Sequence, residues 1–241
     1  MEVIVGGSIR GDMAPVRGQA RVRRRAPPAA ERARAAEALD RLERQMPEAR
    51  IALRFEDDVQ LLTAVVLSAQ STDARVNLLT PALFVRFPDA RAFAAARPED
   101  LWPFIRSLGL FRAKARSLVA AMRAIADEHG GRVPRDRAAL EALPGVGRKT
   151  AGVVLIHLGA EEAFPVDTHV GRVARRMGFT REREPDRVEE RLRALLPRER
   201  WARGHQLLVW HGRRTCAARA PACERCVLAD LCRKVGVGRG R

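Results

Sequence analysis

Leu143-Pro144-Gly145-Val146-Gly147-Arg148-Lys149-Thr150-Ala151-Gly152-Val153-Val154-Leu155-Ile156 is the stretch that decides the fold. A helical pattern ends at Leu143, Pro144 stops it, two glycines one residue apart permit a tight turn, and an apolar helix resumes at Arg148. The pattern predicts a helix–hairpin–helix over residues 136–143 and 148–158. Glycines without side-chain bulk expose the amides of the turn and of the next helix's first turn, where phosphate oxygens bind well. Taken alone, Pro-Gly-Val-Gly is better read as a glycine-capped helical corner, and its surroundings have to decide.

Lys149 lies in the first turn of the second helix, where the positive end of the helix dipole disfavours a cation, and Arg148 adds to the effect. Both favour the neutral amine that a nucleophile needs, and partial burial would act in the same direction. The chain has 42 arginines and only three lysines, Lys114, Lys149 and Lys234. Lysine here therefore points to chemistry that an always-protonated guanidinium cannot perform; the bland alternative is a solvated side chain.

Val166-Asp167-Thr168-His169 follows, opening a helical pattern that runs through Met177 and Gly178. Asp167 suits an N-cap, and a capping carboxylate held in one orientation is compatible with catalysis. All four cysteines fall in Cys216-x6-Cys223-x2-Cys226-x5-Cys232. Such clustering argues for one metal centre, with zinc and a four-iron cluster both open from spacing alone. His169, His205 and His211 read as hydrogen-bonding structural residues beside four cysteines.

Together these segments resemble the endonuclease III family of helix–hairpin–helix DNA glycosylases, over about residues 35 to 233. Leu143–Ala151 matches the family's hairpin and lysine, Val166–His169 its aspartate segment, and the cysteine spacing its 4Fe–4S loop. The resemblance implies Lys149 and Asp167 as catalytic residues and Cys216, Cys223, Cys226 and Cys232 as ligands of a 4Fe–4S cluster. It also implies that Gln70 enters the space vacated by a flipped nucleotide, that Asp73 lies near the pocket and that Leu110 wedges into the base stack. Gly145, Val146, Gly147 and Arg148 would grip the backbone. The implied fold is all-α and two-lobed, with a six-helix barrel lobe at 51–161 and a cluster lobe joining 30–50 with 162–241.

A net charge of +16 and an isoelectric point near 11.4 call for a polyanionic partner. The 46% hydrophobic content with helical periodicity favours a globular fold over a basic tail protein. No apolar run approaches the ~20 residues of a bilayer span, and no signal-peptide h-region appears. Residues 1–29 mix Gly, Pro, Ala and Arg, which predicts a disordered basic tail. It suits a DNA-contacting extension of a cytoplasmic, nucleoid-associated monomer better than a transit peptide.

The remaining helices follow from pattern. Residues 29–46 carry Leu39, Leu42 and Met46 on one stripe; Asp57 and Asp58 open a helix over 59–70 that is apolar on nearly every side. Thr72 or Asp73 caps the next, and Pro81 within it predicts a kink or an early stop. Short helices occupy 89–96 and 98–107, and Gly109 precedes Leu110 or Phe111 as a wedge or a core anchor. A long amphipathic helix runs to His129, and later helices start at Pro185 and near Arg198, the last reaching His211. No period-2 strand appears.

The implied activity is a bifunctional glycosylase/AP lyase acting on oxidised pyrimidines in double-stranded DNA. An adenine glycosylase of the same superfamily is the nearest rival; those enzymes usually lack the lysine and carry a further C-terminal domain. Gly152, where endonuclease III sequences often have asparagine, is a mild departure towards them. A non-catalytic binder would need no lysine with an aspartate partner. In the cysteine loop, Arg219, with Arg213, Arg214 and Arg225, predicts a phosphate-facing rim.

Overall fold

The computed structural model describes residues 26–160 and 163–238; the basic tail expected over residues 1–29 lies, up to residue 25, outside them. The described residues are all-α, without a strand. The helices are α1 (Ala29–Gln45), α2 (Asp58–Ser68), α3 (Asp73–Arg86), α4 (Ala90–Ala95), α5 (Pro98–Ile105) and α6 (Phe111–Glu128). They continue with α7 (Arg137–Ala142), α8 (Arg148–His157), α9 (Thr168–Met177), α10 (Pro185–Leu195) and α11 (Trp201–Arg214).

Local chemistry accounts for most boundaries. Asp57, Thr72, Asp89, Asp136 and Asp167 each cap a helix by accepting from a main-chain amide three residues on. Each supplies one of the acceptors that a helix N-terminus lacks. Gly130 and Gly131, both at positive φ, end α6.

Two apolar cores form. The first runs without interruption from Leu53 to Leu155 and centres on α2, whose residues Val59 and Leu61 to Leu67 are all buried. The second joins α1 to α9, α10 and α11, with Leu39, Leu42, Phe164, Leu192 and Leu207 inside. The chain thus starts in one core, builds the other and returns.

Three expectations change. α3 does not stop at Pro81, which is exposed on the helix's solvent side; the carbonyl freed by the missing N–H can bond to water there. α2 ends at Ser68 rather than Gln70: Ala69 leaves the helical region with ψ 118°, and Gln70 then turns left-handed at φ 55°. The last helix begins as a 3-10 turn at Arg198–Arg200 and extends three residues past His211.

Candidate active site and cysteine loop

Between the two cores opens a cleft of about 210 Å³. Its walls bring together Gln70 and Asp73 from the α2–α3 turn, Lys149 from α8, Asp167 from the start of α9, and His205 and Arg213 from α11. Residues 79 positions apart in sequence, Gln70 and Lys149, meet because α2 packs on α8. Leu110 does not line this cleft.

Lys149 is the second residue of α8, next to an open N-terminus: Gly147 offers no side-chain cap, and space beside it is free where a Cβ would stand. Gly145 takes φ +79°, and a Cβ there would lie 2.5 Å from Cβ of Ser117, so neither the turn nor the space admits another residue. Val146 behaves differently. Its side chain is buried in the first core and its amide donates to the Leu143 carbonyl at 3.0 Å. The donors left for a phosphate are the amides of Gly145, of Gly147 and of the first turn of α8. Arg148 reaches away to α10, 3.0 Å from Asp186 and 3.5 Å from Glu189, fastening the hairpin to the second core. Lys149 itself is exposed to the cleft, so of the influences expected to prepare its amine, the helix N-terminus is present and burial is absent.

Asp167 is half-buried and accepts from the Val170 amide at 2.8 Å through Oδ1; Oδ2 has no hydrogen-bond partner among the described residues and remains for the cleft. Behind it, His205 is buried with Nδ1 2.8 Å from the Pro165 carbonyl. A carbonyl only accepts, so Nδ1 carries the proton and Nε2 the lone pair. Burial depresses the His205 pKa to about 4, against the opposing pull of Asp167, so the ring is neutral at pH 7. Asp73 pairs with Arg213 at 2.6 Å, a bond across the cleft from α3 to α11. A Cβ on Gly152 would lie 3.2 Å from the Pro165 ring, so any larger residue there needs that ring to give by a few tenths of an ångström.

Gln70 and Leu110 are both exposed and both adopt left-handed φ, 55° and 57°. Of the two wedge candidates only Leu110 is free. Phe111 packs edge-on against Trp102 at 5.9 Å and is the core anchor.

Cys216, Cys223, Cys226 and Cys232 line one pocket beneath α9. Burial first, and then the neighbouring cysteines, push the Cys226 and Cys232 thiols up. Four cysteines around one pocket are the donor type that a metal centre takes, since sulfurs gathered as thiolates repel unless a cationic group lies among them. Among the described residues no three His, Cys, Asp or Glu side chains converge on a single metal ion. Arg176 holds the loop, donating to the Ala217 carbonyl at 2.7 Å, the Ala218 carbonyl at 2.9 Å and Sγ of Cys216 at 3.3 Å. Arg219 is exposed at the loop's outer edge.

Sequence reasoning set Arg213 on the rim of the cysteine loop, whereas it pairs with Asp73 in the cleft, and it missed His205 as a wall of the cleft and the arginines that hold the cysteine loop. The arginine excess gave no signal for any one of them.

Residues 63–198 match the family described as HhH-GPD superfamily base excision DNA repair protein, and the chain belongs to that family. Within it the chain is similar to endonuclease III of Synechocystis sp. strain PCC 6803, 45% identical over 205 residues that cover 85% of this chain and 94% of the relative. Endonuclease III of Escherichia coli K12 is 41% identical, covering 83% and 95%. Among solved structures, a trapped endonuclease III–DNA covalent intermediate superposes with a TM-score of 0.80 at 41% identity, over 84% of this chain and 96% of that one. A thermostable thymine-DNA glycosylase gives 0.74 at 25%, over 85% and 96%. No helix among the described residues is long and apolar enough to cross a membrane.

Proposed function

We propose that the protein is a bifunctional DNA N-glycosylase and AP lyase of base-excision repair, removing oxidised pyrimidines from double-stranded DNA in the cytoplasm. The observation that carries this reading is that Lys149 and Asp167, each at the N-terminus of a different helix, line the same cleft. The likeness to endonuclease III supports it.

A base inside a duplex must leave the stack before it can react, at a cost of a few kcal/mol that damage reduces. Gln70 and Leu110 fill and hold the opened stack, with Asp73 beside them, while Gly145, Gly147 and the first turn of α8 grip the backbone; Val146 anchors that turn from inside. Lys149 Nζ attacks C1′ of the flipped nucleotide. The glycosidic electron pair departs with the base, which takes up a proton, and the sugar ring opens by cleavage of C1′–O4′ to leave a Schiff base. Asp167 Oδ2 faces the positive charge that develops at C1′ and accepts the proton shed by the amine. Removal of a C2′ proton then expels the 3′ phosphate by β-elimination, and water releases the enzyme.

Cys216, Cys223, Cys226 and Cys232 would hold a 4Fe–4S cluster. Bound there, the group supplies a rigid fold rather than reaction chemistry, and it sets Arg219 on the rim that meets DNA phosphates.

Borohydride trapping on abasic-site DNA tests the reading. Wild-type protein forms a covalent adduct, and Lys149→Gln forms none while binding the same DNA within a few-fold, since one charge among many phosphate contacts is a small loss. Undiminished trapping by Lys149→Gln would overturn the mechanism.

A further inference from the structure

Lys114 is the one buried lysine among the described residues, nothing above employs it, and its surroundings are unusual. It is buried, 7% exposed, yet makes no ion pair among the described residues. Its Nζ donates instead to the Leu67 carbonyl and to Oγ of Ser71, both at 2.9 Å. Leu67 is in the last turn of α2, whose carbonyls lack helical partners and carry the negative end of the helix dipole, which suits a buried ammonium. Burial pushes the Lys114 pKa down from the usual lysine value.

The two acceptors bracket Gln70. One ammonium thus pins both sides of the turn in which Gln70 is held left-handed, a conformation costing a non-glycine residue roughly 1–3 kcal/mol unless its surroundings impose it. Lys114 is also the fourth residue of α6, and its own amide donates to the Leu110 carbonyl at 3.0 Å, fixing the other left-handed residue. A second tie runs parallel, from Arg75 Nε to Oγ of Ser107 at 3.1 Å, joining the start of α3 to the turn that precedes Leu110. The exposed side chains of Gln70 and Leu110 come from turns forty residues apart, and a single side chain reaches from one to the other.

We propose that Lys114 is a positioning residue, which locks the Gln70 turn to the Leu110 turn so that the two side chains enter the base stack as one rigid fork. The inference rests on the reading that Gln70 and Leu110 act on the stack. Lysine is required because its compact ammonium fits between a carbonyl and a hydroxyl inside the core. A guanidinium is planar and wider, which explains why an arginine-rich chain departs from its habit at this position.

The test compares single-turnover base release from duplex and from single-stranded DNA carrying the same oxidised pyrimidine. Lys114→Met keeps the length and removes the donors. It should lose tenfold or more on the duplex, the scale of a charged hydrogen bond removed, and less than about twofold on the single strand, where no stack has to be held open. Ser71→Ala, which removes one acceptor without disturbing the core, should show the same selectivity at smaller size and serves if Lys114→Met does not fold. Combining Lys114→Met with Leu110→Ala should cost less than the sum of the separate losses, because a fork already loosened gains little from its tip. Equal losses on both substrates, or strict additivity with Leu110→Ala, would overturn the proposal. If Gln70→Ala and Leu110→Ala themselves show no preference for the duplex, the reading beneath it fails; if they do and neither Lys114→Met nor Ser71→Ala does, the positioning role alone fails.

Discussion

The core built from residues 53–155 is closed almost wholly by apolar side chains, whereas the core that joins α1 to residues 164–228 is closed by arginines as well. Arg34 on α1 donates to the carbonyls of Met177 and Leu231, at 2.7 and 2.9 Å. Arg203 on α11 grips both oxygens of Glu43, at 2.6 and 2.8 Å, and the carbonyls of Ala49 and Pro47. Arg172 bonds the carbonyls of Gly212 and Cys216. In the first core all the helices come from one continuous stretch of chain, with α4 and α5 packed on α6 and α2 on α8, and hydrophobic burial supplies most of the energy. The second core is assembled from distant segments. There a donor that satisfies several carbonyls at once fixes the register, and guanidinium, with five N–H groups, is the side chain that can.

Removing a ring from the first core should have the largest effect. Phe93 is fully buried and stacked on Phe87 at 5.0 Å, and Phe93→Ala should cost about 4 kcal/mol, read as a lower urea midpoint followed by Trp102 fluorescence.

Acid should act on the second core, because the two buried histidines, His205 and His211, both lie on α11. The folded-state pKa of His205 lies below the ordinary 6.5, so the unfolded chain takes the proton first. Its contribution is fully present above pH 6.5 and is lost as the pH falls to about 4, a change on the order of 3 kcal/mol. His205→Gln, which keeps a donor and removes the titration, should flatten that dependence; an unchanged curve would acquit the histidine.

Arg203→Ala should cost less, about 2 kcal/mol, because the side chain is only part-buried and water can replace some of its bonds. The loss should appear first in Trp201 and Trp210, which belong to the second core. If Phe93→Ala and Arg203→Ala shift all three tryptophans equally, the cores unfold as one unit, and the contrast describes their construction but not their stability.

Much of the first core could be read from the sequence, because helix starts are written locally: an aspartate or threonine followed by an apolar pattern gave α2, α3, α4 and α7 their caps, and α9 in the second core likewise. The hairpin, Lys149 and Asp167 were legible for the same reason. The early stop at Pro81 does not occur because a proline's cost depends on which side of the helix faces water, and that is settled by packing. The choice between Leu110 and Phe111 rested on one left-handed residue that no periodicity records. The partners of Arg148, Asp186 and Glu189, come from a helix nearly forty residues on, and no local pattern announces them. The scarcity of lysine proved informative in a second sense at Lys114, where the compact charge serves geometry.

The return of the chain to the second core, where α1 began, has a consequence in time. α1 leaves the ribosome first, but its partners α10 and α11 are completed only at residues 195 and 214. At about 5–20 residues per second, α1 carries Leu39, Leu42 and Met46 unburied for roughly ten to thirty seconds. The contiguous core, finished near residue 155, can condense during that interval, so synthesis orders the molecule from its middle outwards. The charged face of α1, with Arg34, Arg41 and Glu43 awaiting partners not yet made, keeps the early helix in water until the last one arrives.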